Sequence, residues 1–334
     1  MSTIRDVAKL AGVSVATVSR VLNKSGYVNK ETERAVKEAI DLLQYVPNTV
    51  ARGLAIKRME TIALVVPDIS NPFFAELGRA AEDIARTYGY SIILCNSDNE
   101  MDKEQSYITM LKKRYVDGIL FATSTLRTAD VNMMNSANIP LVVLDRAPRE
   151  GTCYVVRSKN YDGARLAVQH LLDEGCKKIA HIYGPQAAPT AMERLQGYEA
   201  IAKEQNWYSP SLMADGGFNI KGGMEAVAQL LERHPDIDGI FAGNDLMAVG
   251  ALKQLQRMGK SIPDQIKLCG FDGIELSQIT EPEITTIAQP IYNMGALATR
   301  LLIKKIEGVQ IEEQNYEFDV ELIVRGSTRR ERGS

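Results

Sequence analysis

The apolar positions of this 334-residue chain change their rhythm near residue 60. Before it they recur at helical spacing; after it they come in unbroken runs separated by helical stretches. Ile4, Val7, Ala8 and Ala11 share one helix face, and Thr3 followed by Asp6 makes a capping box at its start. Gly12 ends that helix. Ser14, a good N-cap, opens a second, with Val18, Val21 and Leu22 as its buried stripe. A third starts near Asn29, carries Glu31 and Glu33 in its first turn, and turns Ala35, Val36, Ala39, Ile40 and Leu43 inward. Helices this short are marginal alone, so they are expected to pack together.

From Thr61 the pattern is different. Ile62-Ala63-Leu64-Val65-Val66 is a continuous apolar run, as in a strand covered on both faces. Leu77, Ala80, Ala81, Ile84 and Ala85 then read as a helix, and Ser91–Cys95 as another strand. Further strands are expected at Gly118–Ala122, Leu141–Leu144, Lys178–Tyr183, Gly239–Ala242 and Lys267–Gly270. Alternation of strand and helix implies mostly parallel sheets with helices on both faces, and there are too many strands for one compact sheet. The expected architecture is an N-terminal all-α helix-turn-helix domain over residues 1–45, a linker over 46–60, and a two-lobed α/β core over 61–334. Lobe 1 is expected to take about 61–158 and 291–320, and lobe 2 about 159–290 and 321–330. The division falls near Val155–Asp162, and the chain crosses back near Gln289–Asn293.

Net charge sharpens this division. Residues 1–60 hold ten Lys/Arg against six Asp/Glu, a net +4, whereas the remainder holds 29 against 36, a net −7. A basic end on an acidic body suggests that only that end meets a polyanion. No run is apolar enough to span a bilayer, and Met1–Asp6 lacks a secretion signal, so a cytoplasmic location on the nucleoid is expected, with no membrane partner. Cys95, Cys153, Cys176 and Cys269 lie far apart, as do His170, His181 and His234, so neither a disulfide framework nor a metal site is expected. No nucleophile–base pair or phosphate loop is apparent, which argues against an enzyme and against a cofactor.

Two regions carry candidate chemistry. The outward face of the second helix offers Val15, Ala16, Thr17, Ser19 and Arg20. Small side chains admit it to a major groove, and an arginine can reach guanine O6 and N7. Ser14, Thr17 and Ser19 can donate to phosphates, which position without reading sequence. In the core, ligands of such sheets bind beyond the carboxyl ends of the strands. Asn71, Phe73 and Phe74 follow the first strand, Asp145 and Arg146 follow Leu144, and Arg194 lies beyond Tyr183. Asn244 follows Ala242, Phe271 and Asp272 follow Gly270, and Gln289 sits at the late crossing. Carboxylates, amides and guanidinium groups beside aromatic faces suit a sugar, with its polar edges and apolar face.

Thr3–Asn23 closely resembles the headpiece of the LacI/GalR repressor family, and Tyr45–Ala55 resembles that family's hinge. The resemblance implies that Val15, Ala16 and Arg20 read bases, with Thr3 and Asn23 also on the DNA side. It implies a hinge helix over residues 48–55 in the minor groove, using Asn48, Ala51 and Arg52, with Leu54 wedged between base steps. Eight residues interrupted by Gly53 cannot hold a helix alone, so the hinge should order only with DNA and a second copy. The core resembles the effector domain of that family and the periplasmic sugar-binding proteins, most closely the ribose binders. On that likeness Phe73, Phe74 and Phe218 stack on the sugar, beside Phe271, while Asn71, Asp145, Arg146, Arg194, Asn244, Asp272 and Gln289 bind its hydroxyls. One element departs from the pattern: Ser158 stands where relatives usually carry an aspartate. The implied protein is a homodimeric repressor of a palindromic double-stranded operator, controlled by a small ribose-like sugar. The catabolite-control regulators of the same family, activated by a phosphorylated carrier protein as corepressor, are also similar.

Overall fold

The computed structural model describes residues 2–23, 25–46, 58–113, 116–123, 128–145 and 153–329. Two compact units divide the chain at Met59/Glu60. In the first, α1 (Ile4–Leu10), α2 (Val15–Asn23) and α3 (Lys30–Leu43) surround a core of Val7, Ala8, Val18, Val36 and Ala39. Each start is capped as the sequence suggests. Asp6 Oδ2 accepts from the Thr3 N–H at 2.8 Å, Ser14 Oγ from Thr17 N at 3.1 Å, and Asn29 Oδ1 from Thr32 N at 2.7 Å. Gly12 makes the turn between α1 and α2 with φ +67°, a left-handed conformation that favours glycine. Val21, Leu22, Ile40 and Leu43 complete the packing at its edges.

The second unit holds two six-stranded sheets. The first is built from β1 (Thr61–Val66), β2 (Ser91–Asn96), β3 (Gly118–Phe121), β4 (Leu141–Leu144), β5 (Tyr154–Ser158) and β11 (Asn315–Phe318), in the order β11-β5-β4-β3-β1-β2, all parallel. The second contains β6 (Ile179–Tyr183), β7 (Met213–Asp215), β8 (Gly239–Ala242), β9 (Lys267–Asp272), β10 (Thr285–Ala288) and β12 (Glu321–Ile323), in the order β12-β10-β9-β8-β6-β7. Among the described residues only the β10–β12 pair is antiparallel.

The unbroken apolar runs have a simple cause. In β1, Ile62, Leu64 and Val66 point to one face and Ala63 and Val65 to the other, and helices cover both. On the first face lie α4 (Pro72–Thr87) and α11 (Ile291–Ile306); on the second, α5 (Met101–Lys113) and α6 (Thr128–Ser136). The second sheet is sandwiched likewise, between α7 (Asn160–Asp173) with α8 (Pro189–Ala202) and α9 (Ile220–Arg233) with α10 (Asp245–Arg257). The chain passes between the sheets three times: after Ser158, after Ala288 and after Phe318. The carboxyl ends of the strands meet at these crossings, and so do the loops that carry polar side chains.

One buried histidine makes folding sensitive to pH. His181 is fully buried, stacked between Phe241 (centroids 4.7 Å apart, 12° between planes) and Tyr198 (5.0 Å, 23°). Its Nδ1 lies 2.9 Å from the Phe241 carbonyl, an acceptor, so Nδ1 carries the proton of a neutral ring. Nε2 is buried without a hydrogen-bond partner, and burial pushes the imidazolium pKa down to about 4. The unfolded chain therefore binds a proton near pH 6.5 that the folded one refuses. This contribution to stability is complete above pH 6.5 and is lost as the pH falls from 6.5 towards 4. The loss is about 3 kcal/mol. Urea titrations of the wild type and His181→Phe between pH 7.5 and 4.5 should diverge, with the variant losing less stability. Parallel pH profiles would show that His181 does not titrate on unfolding.

Candidate functional site

On the headpiece, α2 presents Ser14, Val15, Ala16, Arg20 and Asn23 to solvent, with Thr17 and Ser19 half-buried. Val15, a β-branched hydrophobe, is left 41% exposed on this face. Several of the hydroxyls also serve the fold. Thr3 belongs to the capping box, Ser14 caps α2 and touches the Thr17 hydroxyl at 2.9 Å, and Asn23 Nδ2 donates to Ser19 Oγ at 3.1 Å. Asn48, Ala51, Arg52, Leu54 and, in the core, Arg146 lie outside the described residues.

In the core, a cleft opens between the sheets and draws residues from both. Asn71, Phe73, Phe74 and Asp145 line it from the first lobe, and Thr190, Arg194, Phe218, Asn244 and Asp272 from the second. Local structure explains each placement. Asn71 caps α4 by accepting from Phe73 N at 3.0 Å, so the two phenylalanines occupy its first turn, edge to face at 5.1 Å. Asn244 caps α10 by accepting from Met247 N at 2.9 Å. Asp145, Phe218 and Asp272 all have left-handed backbones, with φ +60°, +57° and +110°. Such conformations are rare outside glycine and asparagine, and a phenylalanine there is a clear outlier. Three of them around one cleft fit the tendency of backbone strain to gather where ligands bind.

Arg194 is the centre of the arrangement. Its Nε donates to Asn160 Oδ1 at 2.9 Å, and its Nη1 to the Gly243 carbonyl at 2.6 Å and to Asp272 Oδ1 at 3.1 Å. Its guanidinium carbon stands 3.8 Å from the centroid of the Phe271 ring, a close cation–π contact. Gln289 Nε2 donates to the same Asp272 oxygen at 2.8 Å, and Ser158 donates to Gln289 Oε1. Burial raises the Asp272 carboxyl above the usual carboxylate range, against the pull of Arg194. Behind it, Asp245 accepts from Gly273 N at 2.8 Å, Ile274 N at 2.9 Å and Thr286 Oγ1 at 2.7 Å, while burial and the neighbouring Asp272 raise its own carboxyl.

The expectation for the cleft needs two amendments. Phe271 does not line it: the residue is fully buried beneath Arg194, because alternation along β9 turns it to the α7/α8 face. Gln289 also stands back from the lining, holding Asp272. Thr190 was missed. It lies four residues before Arg194 on α8, hence on the same face, and that spacing was the available signal. Asn160, which orients Arg194, carried no local signal because it acts across 34 residues.

Among the described residues no group of metal-ligating side chains is gathered, and no helix is long and apolar enough to cross a membrane. Residues 59–324 match a family described as periplasmic binding proteins and sugar binding domain of the LacI family, and residues 3–48 match the bacterial regulatory proteins of the lacI family. The chain is 50% identical to a ribose operon repressor of Halalkalibacterium halodurans, over 98% of each. It superposes with a TM-score of 0.87 on a lac repressor dimer bound to operator and the anti-inducer ONPF, at 27% identity over 98% of this chain and 99% of that one. A LacI-family regulator from Enterococcus faecium with bound ribose aligns at TM-score 0.74 and 33% identity, over 80% of this chain and 98% of that one. The headpiece and the two-lobed core are thus matched along one polypeptide, and the chain belongs to the LacI family of bacterial regulatory proteins: it is a sugar-responsive transcriptional repressor, not an enzyme.

Proposed function

We propose that this repressor governs an operon for a ribose-type sugar, binds a palindromic operator as a homodimer, and releases it when the free sugar occupies the cleft. The carrying observation is the lining itself: two carboxylates, two asparagines and an arginine facing aromatic rings, contributed by both lobes of one cleft. Because both lobes supply groups, the sugar binds best when they are closed, and that differential affinity is what shifts the DNA-binding equilibrium. On the headpiece, Val15, Ala16 and Arg20 read base edges, while Thr17 and Ser19 serve phosphates. The relatives named for ribose, or solved with it bound, support the choice of sugar.

The lining also disfavours a phosphorylated sugar. Helix N-termini are ready anion sites, yet here Phe73 N and Met247 N already donate to Asn71 and Asn244, and α8 opens on Pro189, which has no N–H. Asp145 and Asp272 oppose an anion directly. Calorimetric titration should therefore show binding of D-ribose and none of ribose 5-phosphate, and ribose should release a palindromic operator in a gel-shift assay. Operator binding that ribose leaves unchanged, but a phosphorylated carrier protein tightens, would replace this reading with corepression by a protein partner.

A further inference from the structure

We propose that Gly184 is a specificity-determining position: its bare backbone is the seat of the Phe218 ring, and so sets the width of the sugar cleft. The inference rests on the sugar-binding reading and extends it to a residue that lies outside the lining. Gly184 follows β6 directly and is buried. A Cβ placed on it would lie 2.2 Å from Phe218 Cε1, 2.3 Å from Cζ and 2.6 Å from Cδ1. Carbon atoms rest at about 3.5–4.0 Å, so the ring would have to withdraw by more than about 1 Å.

The turn that carries the ring is held in place. Gly216 N donates to the Tyr183 carbonyl at 2.8 Å, which ties the Phe218 turn to the end of β6. A side chain on Gly216 would strike Met247 and Ile182, so that turn is itself seated against the lobe. Gly217 and Phe218 are both left-handed, each with φ +57°. Asn244 Nδ2 reaches the Phe218 carbonyl at 3.4 Å, and the ring stands 6.0 Å from the Arg194 guanidinium carbon. With its backbone held on one side and Gly184 behind it, the half-buried ring forms a wall that cannot retreat towards β6. A methyl group at 184 displaces the ring from this seat in the cleft lining.

Gly184 has an ordinary φ, so alanine is acceptable to the backbone there; the three nearest obstacles are all atoms of the Phe218 ring. That makes a double-mutant cycle decisive. Gly184→Ala, Phe218→Ala and the double variant are compared in the full-length protein, first by urea unfolding without ligand, then by D-ribose titration. Gly184→Ala should lower the unfolding midpoint and weaken ribose binding on the order of tenfold. In the Phe218→Ala background the same substitution should change neither. The selectivity for ribose over the bulkier ketohexose D-fructose should also move in Gly184→Ala, which a purely structural lesion leaves alone. Equal midpoint losses in both backgrounds would overturn the seat, whether or not ribose proves to be the effector. Coupled midpoints with ribose affinity unchanged would overturn the specificity role alone. Failure of the wild type itself to bind ribose is a separate result, directed at the sugar reading; the specificity role falls with it.

Discussion

Arg194→Met is expected to lower ribose affinity by two to three orders of magnitude and to yield a repressor that ribose no longer releases. The guanidinium is buried, bonded to Asn160, Gly243 and Asp272, and laid on Phe271. Methionine fills much of the volume but donates nothing. It leaves the Asp272 carboxylate without its counter-charge in a site where burial already raises that carboxyl, so protonation is favoured and Asp272 becomes a weaker acceptor for sugar hydroxyls. Truncating one member of a buried, hydrogen-bonded charge pair costs about 2–5 kcal/mol or more, which converts to this loss of affinity. Lysine should not restore it, because three separate acceptors need the planar fork. The check is calorimetry with ribose, paired with operator gel shifts at saturating sugar. A variant that binds ribose within tenfold of the wild type would remove Arg194 from the centre of the site.

The second large effect concerns a residue that touches no ligand. Asp245→Ala should destabilise the core by about 3–5 kcal/mol, comparable to breaking a buried charged network. The wild-type carboxylate gathers two backbone amides, from Gly273 and Ile274, and the Thr286 hydroxyl, all at 2.7–2.9 Å. Alanine strands three donors at once, two of them in fully buried hydrogen bonds. Gly270 shows how closely the strand is moulded to this group, since a Cβ there would lie 2.2 Å from Asp245 Oδ1. Because the two amides follow Asp272 in sequence, the substitution should also release that residue from its left-handed conformation and weaken ribose binding. Asp245→Asn keeps one acceptor but adds two donors, and should fall between. Urea unfolding of the three proteins provides the measurement, and a wild-type midpoint for Asp245→Ala would sink the clamp.

The features legible in the sequence were those with local causes. The capping box at Thr3, the break at Gly12 and the cap at Ser14 are encoded within a few residues of where they act, and each forms as read. β1, β3, β4 and β8 announced themselves as apolar runs because helices bury both of their faces. The strands that escaped reading were β5, β7, β10, β11 and β12. They are three to five residues long and mixed in polarity. In β10 two fully buried positions are threonines, whose hydroxyls are satisfied by Arg325, Thr328 and Asp245 from distant parts of the chain. A polar residue with a remote partner looks exposed until the partner is in view. The cleft followed the same rule. Its lining could be located from strand ends, since a parallel sheet places its binding loops there. The groups behind the lining could not. Ser158 meets Gln289 across 131 residues, and Phe271 sits one residue from Asp272 yet serves the opposite face.

The three passages between the sheets also govern how the protein comes into being. Sheet one begins at Thr61, yet α11, whose Met294, Ala298 and Leu302 fill one of its faces, and β11, which closes its edge, come from residues 291–318. During translation this lobe lacks one of the two helices of that face and its edge strand until most of its neighbour has been made. A message cut short after β10 would release a chain with an intact DNA-reading sequence and an incomplete receptor. The receptor is therefore completed long after the DNA-reading sequence has been made.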